Sequence, residues 1–142
     1  MNLSSMLLAI LAGLFTSLES TINSQLGKHI TPSLAALHSL SVGFIFMLFI
    51  NLIRGNMMER YQNVLKVNPI LLFGGIFGAS IIYLTSKAIP VLGISSTVIL
   101  VLAGQLLSGL VMDVYINDIT ITYKKMAGMI LFLIGVILFL RE

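Results

Sequence analysis

The first apolar stretch of the chain reads LSSMLLAILAGLFTSLESTINSQL, residues 3–26, and it decides the fold class. A helix over this stretch would be about 36 Å long at 1.5 Å per residue, which exceeds the roughly 30 Å hydrocarbon core of a bilayer. Neither lysine nor arginine precedes it, no clear small-residue cleavage site follows it, and more apolar stretches come after it. We therefore interpret it as a first membrane span rather than as a signal peptide.

The composition of the whole chain also indicates a membrane protein. The 142 residues are 58% hydrophobic and 9% charged, with a mean hydropathy of +1.07, whereas a soluble domain is about 25% charged. A soluble protein of this size has too little interior to bury so much apolar surface. The chain is therefore expected to be an integral membrane protein, which excludes free-standing soluble enzymes, nucleic-acid-binding modules and secreted disulfide scaffolds. The absence of cysteine also excludes disulfides and thiolate sites.

Five stretches are long and apolar enough to be membrane-spanning helices. We predict spans over residues 3–26, 33–53, 70–86, 91–112 and 122–140, within one transmembrane domain that covers residues 1–142. Residues 54–68 place Met58, Tyr61 and Leu65 on one helical face, which predicts a short amphipathic helix in the membrane interface. The expected fold class is therefore an all-α integral membrane protein with five transmembrane helices.

The prolines mark the connections between the predicted spans. Thr31-Pro32 and Asn68-Pro69 each place an N-cap residue before a proline at the first helical position. Pro90 and Gly93 bracket a tight connection between the third and fourth spans. On this interpretation no proline lies inside a span.

Basic residues in the connections give a small charge bias across the membrane. Five fall on the side of the N-terminus and three on the other side, which weakly favours an N-terminus inside and leaves insertion in both orientations open. The five are Arg54, Arg60, Lys66, Lys124 and Lys125, and the three are Lys28, Lys87 and Arg141.

Glu19 is the most informative residue, because its carboxylate lies within a predicted span. Glu19 is residue 17 of the 24 in this span, so it lies roughly 7 Å from the midplane, inside a hydrocarbon half-thickness of about 15 Å. Ala12, Thr16 and Asn23 share its helical face at 100° per residue. One interpretation is a carboxylate that snorkels to the interface or pairs with a lysine. We favour a functional carboxylate, because intramembrane acids are costly to bury.

The other polar residues in the spans each have two interpretations. His38 is either a proton relay or an interfacial histidine bonded to a carbonyl. Gln105 and Ser108, near the middle of the fourth span, bond either to other helices or to a ligand. Tyr83 either contacts substrate or is an interfacial aromatic residue beside Lys87. Three glycines of the third span predict close helix packing or, as the alternative, a hinge, and these are Gly74, Gly75 and Gly78.

No motif of a known enzyme class is present. The chain has no phosphate-binding Gly-Lys-Ser/Thr loop, no Gly-x-Ser-x-Gly elbow and no His-Glu-x-x-His motif. His29 and His38 do not have the spacing of a metal pair. We therefore predict a protein that is not an enzyme and that uses no metal or other cofactor.

A set of short motifs is distributed over the predicted spans. The first half holds Gly13, Glu19, Asn23, Leu26 and Gly27, followed by Val42-Gly43. The second half holds Gly74-Gly75-Ile76-Phe77-Gly78, Pro90-Val91-Leu92-Gly93, Gly104-Gln105-Leu106 and Asp113. Together these motifs resemble the YdcZ-like five-helix branch of the drug/metabolite transporter superfamily, over all five spans.

The resemblance implies a half-sized transporter of the EamA-like type in the bacterial cytoplasmic (inner) membrane. Its larger relatives have ten helices in two inverted halves, and a single five-span chain can recreate that arrangement as an antiparallel homodimer. A heterodimer with a related chain is the other option. In this family glutamine is common at the position of Glu19, so Glu19 would either couple protons or select cationic substrates in this chain.

Two classes of function remain open on the sequence. The first is a secondary transporter that exports small organic metabolites or drugs by alternating access, with Glu19 binding a proton or a cation. The second is a non-transporting membrane subunit that stabilises or regulates a partner complex. For the transporter, the predicted partners are a small-molecule substrate, protons and the lipid bilayer, without nucleic acid. Its predicted site residues are Glu19, Asn23, Gln105, Ser108 and Tyr83, with His38 as a proton relay.

Overall fold

A computed structural model describes residues 2–55 and 57–141, without the side chains of Met57, Arg60 and Leu65, and every regular element in these ranges is helical. The α-helices are α1 (Leu3–His29), α2 (Pro32–Arg54), α3 (Met57–Tyr61), α4 (Gly74–Leu92), α5 (Ile94–Asn117) and α6 (Tyr123–Phe139). Two 3₁₀ segments, Gln62–Lys66 and Pro69–Phe73, lie between α3 and α4. The predicted all-α class is thus confirmed for the described residues.

Four of the predicted spans meet the requirements of length and apolar composition for crossing a membrane. They are Leu3–His29, Pro32–Arg54, Pro69–Leu92 and Ile94–Asn117. The fifth predicted span corresponds to α6, which has 17 residues. A helix of that length is about 26 Å long, at the lower limit for a membrane span.

The predicted helix starts at two prolines are confirmed. Thr31 is the N-cap of α2, where its side chain accepts a hydrogen bond from the Leu34 backbone N–H at 3.2 Å and Pro32 follows as the first helical residue. Asn68 accepts from the Ile70 backbone N–H at 3.1 Å and caps the 3₁₀ segment that leads into α4. The third span therefore begins with a 3₁₀ turn rather than directly with α-helix.

The predicted end of the third span is wrong, because α4 continues through Pro90 to Leu92. Pro90 lies in the last turn, where a missing backbone N–H removes one hydrogen bond at the end of the helix rather than in its middle. The helix stops at Gly93, whose φ of 84° lies in a region that only glycine adopts readily. The connection before α5 is thus one residue rather than the segment bracketed by Pro90 and Gly93.

Two other boundaries also extend further than the apolar stretches suggest. The helix α1 ends at His29 and α5 at Asn117, because backbone hydrogen bonding continues where the side chains become polar. Asp113 consequently lies inside α5 rather than after it. The segment 54–68 holds α3 and a 3₁₀ segment rather than one continuous amphipathic helix, and the side chain of Leu65 lies outside the described set.

Most of the buried side chains in the described residues are small or polar, with Ile89 and Val136 as the larger apolar exceptions. Among the eleven buried side chains are the six polar residues Ser20, Asn23, Ser24, Thr85, Ser86 and Thr97. Large apolar residues face outward, such as Phe15 at 66%, Phe44 at 67% and Phe77 at 70% exposure. This distribution would be an aggregation hazard in water, but it is the arrangement expected of helices that face lipid and pack through small residues.

The chain divides into two compact units, Met1–Val91 and Leu92–Glu142. In the first unit, α1 and α2 form a hairpin that is packed at its turn. The buried residues of this hairpin are Ser20, Asn23 and Ser24 on α1 and Ala35 and Ala36 on α2. In the second unit, α5 packs along α6.

Candidate functional site

Three polar side chains meet between α1 and α2, and we call them the α1–α2 polar cluster. The Asn23 Nδ2 group donates to the Ser39 Oγ atom at 3.2 Å, and the Ser39 hydroxyl donates to the Glu19 Oε1 atom at 3.4 Å. The second distance exceeds the usual 2.5–3.0 Å of an O–H···O bond, so the carboxylate is held weakly. The cluster therefore contains the Asn23 amide, bonded at 3.2 Å, and the Glu19 carboxylate, whose weak hydrogen bond leaves it available to a ligand.

Within the cluster, Glu19 lies near the middle of α1, whereas Asn23 lies six residues before its last residue, His29. The midpoint of Leu3–His29 is Thr16, so Glu19 is about 4.5 Å from it along the helix axis. Asn23 is 3% exposed, whereas Glu19 is exposed on the surface of the chain. Glu19 thus lies at the edge of the α1–α2 contact, where one side of its carboxyl group meets Ser39 and the other is open.

The rest of the predicted face of α1 is not buried. Ala12 and Thr16 are exposed, and the Thr16 hydroxyl donates to the Ala12 carbonyl of its own helix at 2.8 Å. The buried side of α1 is instead formed by Ser20, Asn23 and Ser24. The centre of the helix contact is therefore rotated away from Glu19.

Two other predicted residues of the first unit are not bonded to this cluster among the described residues. The Lys87 Nζ atom lies 5.3 Å from the centre of the Tyr83 ring, a cation–π distance. This contact matches the interpretation of Tyr83 as an aromatic residue beside a lysine. His38 is exposed, and its imidazole has no hydrogen bond to the described residues. Neither observation assigns these two residues to a transport pathway.

Gln105 and Ser108 belong to the second unit. Both are exposed, and the Ser108 hydroxyl donates to the Gln105 backbone carbonyl at 3.1 Å. Gln105 lines an open groove of about 520 Å³ between α5 and α6, which we call the α5–α6 groove. Other residues that line it are Gly109, Asp113, Lys125, Gly128 and Phe132.

Two buried hydroxyl groups of the first unit have no hydrogen bond, and these are the Oγ atoms of Ser24 and Ser86. The carbonyl that Ser86 would use in its own helix, that of Ile82, already accepts from Thr85 at 3.1 Å. Within residues 2–55 and 57–141, no group of three or more His, Cys, Asp or Glu side chains could hold a metal ion. The α1–α2 polar cluster itself contains a hydroxyl, an amide and a carboxylate, a set suited to hydrogen bonding and charge recognition.

A family model with the description "Putative inner membrane exporter, YdcZ" matches residues 4–138. The match covers all of the long helices. The chain belongs to the YdcZ family. No curated protein and no solved structure matches it in the corresponding comparisons.

Membership of the YdcZ family confirms the resemblance that the sequence motifs indicated. It identifies the chain as a multi-pass protein of the inner membrane, in agreement with the four helices of spanning length. At a coarse level it also supports transport out of the cell as the function.

Sequence analysis of this YdcZ-family chain missed Ser39, which joins the two other members of the α1–α2 polar cluster. Serine is common in membrane helices, so its presence in α2 carries little information by itself. The distance in residues from the turn could have indicated Ser39 as a partner of Asn23, because the turn between α1 and α2 lies at residues 30 and 31. Counting equal distances from that turn in an antiparallel hairpin brings Asn23 opposite residue 38, next to Ser39.

Proposed function

We propose that this protein is a secondary active transporter that exports small organic solutes, with Glu19 binding a proton and a cationic substrate in turn. The observation that carries the proposal is the exposed, weakly held carboxylate of Glu19 near the middle of a membrane-spanning helix. A carboxylate at that depth is costly unless it is protonated or paired with a cation. Exchange between these two states would couple the flux of protons to that of substrate.

The buried amide of Asn23 supports this proposal from the other side of the cluster. Its Nδ2 group occupies the acceptor side of Ser39, so the single hydroxyl proton of Ser39 is directed at Glu19. The carboxyl oxygen Oε1 can accept that proton whether Glu19 is ionised or protonated. The second oxygen has no hydrogen bond to the described residues and is available to a substrate.

We propose further that the transporter works by alternating access as a dimer of this chain. Glu19 is exposed on the surface of a single copy, and a second copy in the opposite orientation would enclose the carboxylates in one central site. Asn23, Gln105, Ser108 and Tyr83 are the residues we assign to the pathway, with His38 as a proton relay. The roles of these five residues rest on their polarity within or beside membrane-spanning helices.

The test is transport by purified protein in proteoliposomes with a pH gradient. The probe is tetraphenylphosphonium, a lipophilic organic cation, and proton movement is followed with a pH-sensitive dye trapped inside. We expect Glu19→Gln to abolish proton-driven uptake of the probe and to leave the dimer intact on size-exclusion chromatography. The matched control is Glu59→Gln, since Glu59 lies in α3 outside the spans.

Undiminished proton-driven uptake by Glu19→Gln would refute the coupling role of Glu19. If the wild-type protein moves neither the probe nor a panel of smaller organic cations and anions, the transporter proposal fails. Co-purification with one unrelated membrane protein would then favour a subunit that stabilises or regulates a partner complex.

A further inference from the structure

The α5–α6 groove has a negative charge and a positive charge on its walls. Asp113 comes from α5 and Lys125 from α6, and both line the same open space. The Asn117 Nδ2 group donates a long hydrogen bond to the Asp113 Oδ1 atom at 3.3 Å. The other Asp113 oxygen and the Lys125 ammonium group have no hydrogen bond to the described residues. The groove is thus complementary to a ligand that carries both charges.

The two charges lie at one end of the groove, and its apolar walls lie deeper. Asp113 is in the last turns of α5, which ends at Asn117, and Lys125 is in the first turn of α6. Gln105 is eight residues before Asp113, so it lies about 12 Å deeper along the helix. Between these levels the walls are apolar, as at Leu110 and Phe132. The groove thus has charged side chains at one end and, deeper in the membrane, an apolar part that we call the apolar slot. This arrangement is complementary to an amphiphile at the membrane interface rather than to a free polar solute.

Two glycines without side chains leave open space in the α5–α6 groove. Apart from the backbone of their own helices and adjacent residues, no described atom lies within 4 Å of the position that a Cβ atom would occupy on Gly109 or Gly128. Both residues line the groove, so larger side chains on either helix would project into open space that the groove now provides. A volume of about 520 Å³ is within the roughly 300–1,000 Å³ of sites that hold drug-sized molecules.

We propose that the α5–α6 groove binds an aminophospholipid of the surrounding membrane, with its ammonium group at Asp113 and its phosphate at Lys125. A primary ammonium group donates hydrogen bonds to a carboxylate, and a phosphate accepts them from lysine. An acyl chain lies along the apolar slot beside Leu110 and Phe132. The groove shares Gln105 with the pathway residues proposed above, but the headgroup contacts come from Asp113 and Lys125, so the proposal does not depend on the transport function.

The test is lipid binding by the full-length protein, measured by native mass spectrometry from detergent. The lipids are phosphatidylethanolamine, phosphatidylcholine and phosphatidylglycerol with identical acyl chains. We expect wild-type protein to bind phosphatidylethanolamine about tenfold more tightly than the other two, which corresponds to one additional charge-assisted hydrogen bond. Phosphatidylcholine has a positive charge but no N–H donor, and phosphatidylglycerol has no ammonium group.

Substitutions separate the two contacts. Asp113→Asn is expected to remove the preference for phosphatidylethanolamine, and Lys125→Gln to weaken all three lipids by a similar factor, because each has a phosphate. Matched controls are Asp118→Asn and Lys124→Gln, which change neighbouring charges that do not line the groove. Gly128→Leu is expected to reduce binding of all three lipids, because its side chain fills the slot.

Two outcomes would overturn the proposal. One is an unchanged lipid preference in Asp113→Asn together with unchanged lipid affinity in Gly128→Leu, each variant shown to be folded by its helical circular dichroism. The other is equal competition by glycerophosphoethanolamine, the same headgroup without acyl chains, which would identify a site for soluble zwitterions instead of lipid. We expect this headgroup not to compete.

Discussion

A single serine hydroxyl connects the buried and the exposed parts of the α1–α2 polar cluster. Ser39 accepts from Asn23 and donates to Glu19, so its one proton has a defined direction. Because Asn23 is 3% exposed, its amide depends on this partner. Glu19 depends on it less, since the distance of 3.4 Å is long. The serine therefore positions the asparagine more firmly than it positions the carboxylate.

The stronger dependence of Asn23 than of Glu19 on Ser39 predicts the effect of Ser39→Ala. The substitution leaves a buried amide without its partner, which is expected to lower the free energy of unfolding by about 1–3 kcal/mol. Proton-driven transport should fall several-fold without being abolished, because Glu19 remains. The measurements are thermal unfolding in detergent and uptake of tetraphenylphosphonium in proteoliposomes.

Ser41→Ala is the matched control, because the Ser41 hydroxyl donates to the Leu37 carbonyl of its own helix at 2.8 Å and the residue is exposed. We expect it to change neither stability nor transport. A result in which Ser39→Ala behaves like Ser41→Ala in both measurements would show that the cluster has no functional role for Ser39.

The sequence predicted the acid and the amide of this cluster but not their link. Glu19 stands out because a carboxylate in an apolar stretch is rare and costly. A serine in a membrane helix has no such cost when it bonds to a carbonyl of its own helix, as Ser41 does. The role of Ser39 depends on which residue of α1 lies opposite it. The apolar periodicity of a single helix does not show which residues of two helices face each other.

At the scale of elements, the α1–α2 hairpin is held at its turn by close approach of small residues. A Cβ atom on Gly27 would lie 3.4 Å from the Cα atom of Pro32. Ala35 and Ala36 are 0% and 6% exposed on the facing helix. Gly13, in contrast, has nothing within 4 Å of its Cβ position. The two glycines of α1 thus have different roles, one at a helix contact and one on an open surface.

Substitution of these glycines tests the contact. Gly27→Ala is expected to be tolerated, since its Cβ atom would be in ordinary van der Waals contact with Pro32. Gly27→Leu should displace Pro32 and destabilise the hairpin by about 1–3 kcal/mol, the usual cost of overpacking. The measurement is thermal unfolding in detergent, with Gly13→Leu as control. Equal effects of leucine at both positions would contradict the packing we describe.

The predictability of the helices follows from the same physics. Apolar stretches located the spans because a bilayer admits only segments with satisfied backbone hydrogen bonds and apolar surfaces. They did not locate the ends of α1, α4 and α5, since a helix continues as long as its backbone bonds do. Pro90 is the clearest case, as its effect depends on its distance from the helix end, which the sequence pattern did not specify.

Three glycines of α4 have no other described helix packed against their Cβ positions. Gly74, Gly75 and Gly78 were expected to allow close helix packing, but none has an atom within 4 Å of its Cβ position. The large apolar residues Ile76 and Phe77 beside them are also exposed. A second copy of the chain would supply the missing contact, in agreement with the dimer that we propose.

An antiparallel dimer requires that the chain insert in both orientations. The charge bias of five basic residues against three is small enough to permit this. The absence of native cysteine allows a test with single cysteines and a membrane-impermeant thiol reagent. Thr120→Cys lies between α5 and α6, and Ile30→Cys lies between α1 and α2. In a chain whose successive long helices cross the membrane, these two positions lie on opposite sides.

We expect each of these cysteines to be labelled to a comparable extent from both sides of the membrane, because half of the copies have each orientation. If every copy has the same orientation, Thr120→Cys is labelled from one side only and Ile30→Cys from the other only. That pattern would exclude an antiparallel homodimer and direct the search to a related chain of opposite orientation. Labelling of both positions from both sides, together with a dimer on size-exclusion chromatography, would support an antiparallel homodimer with two Glu19 carboxylates in one central site.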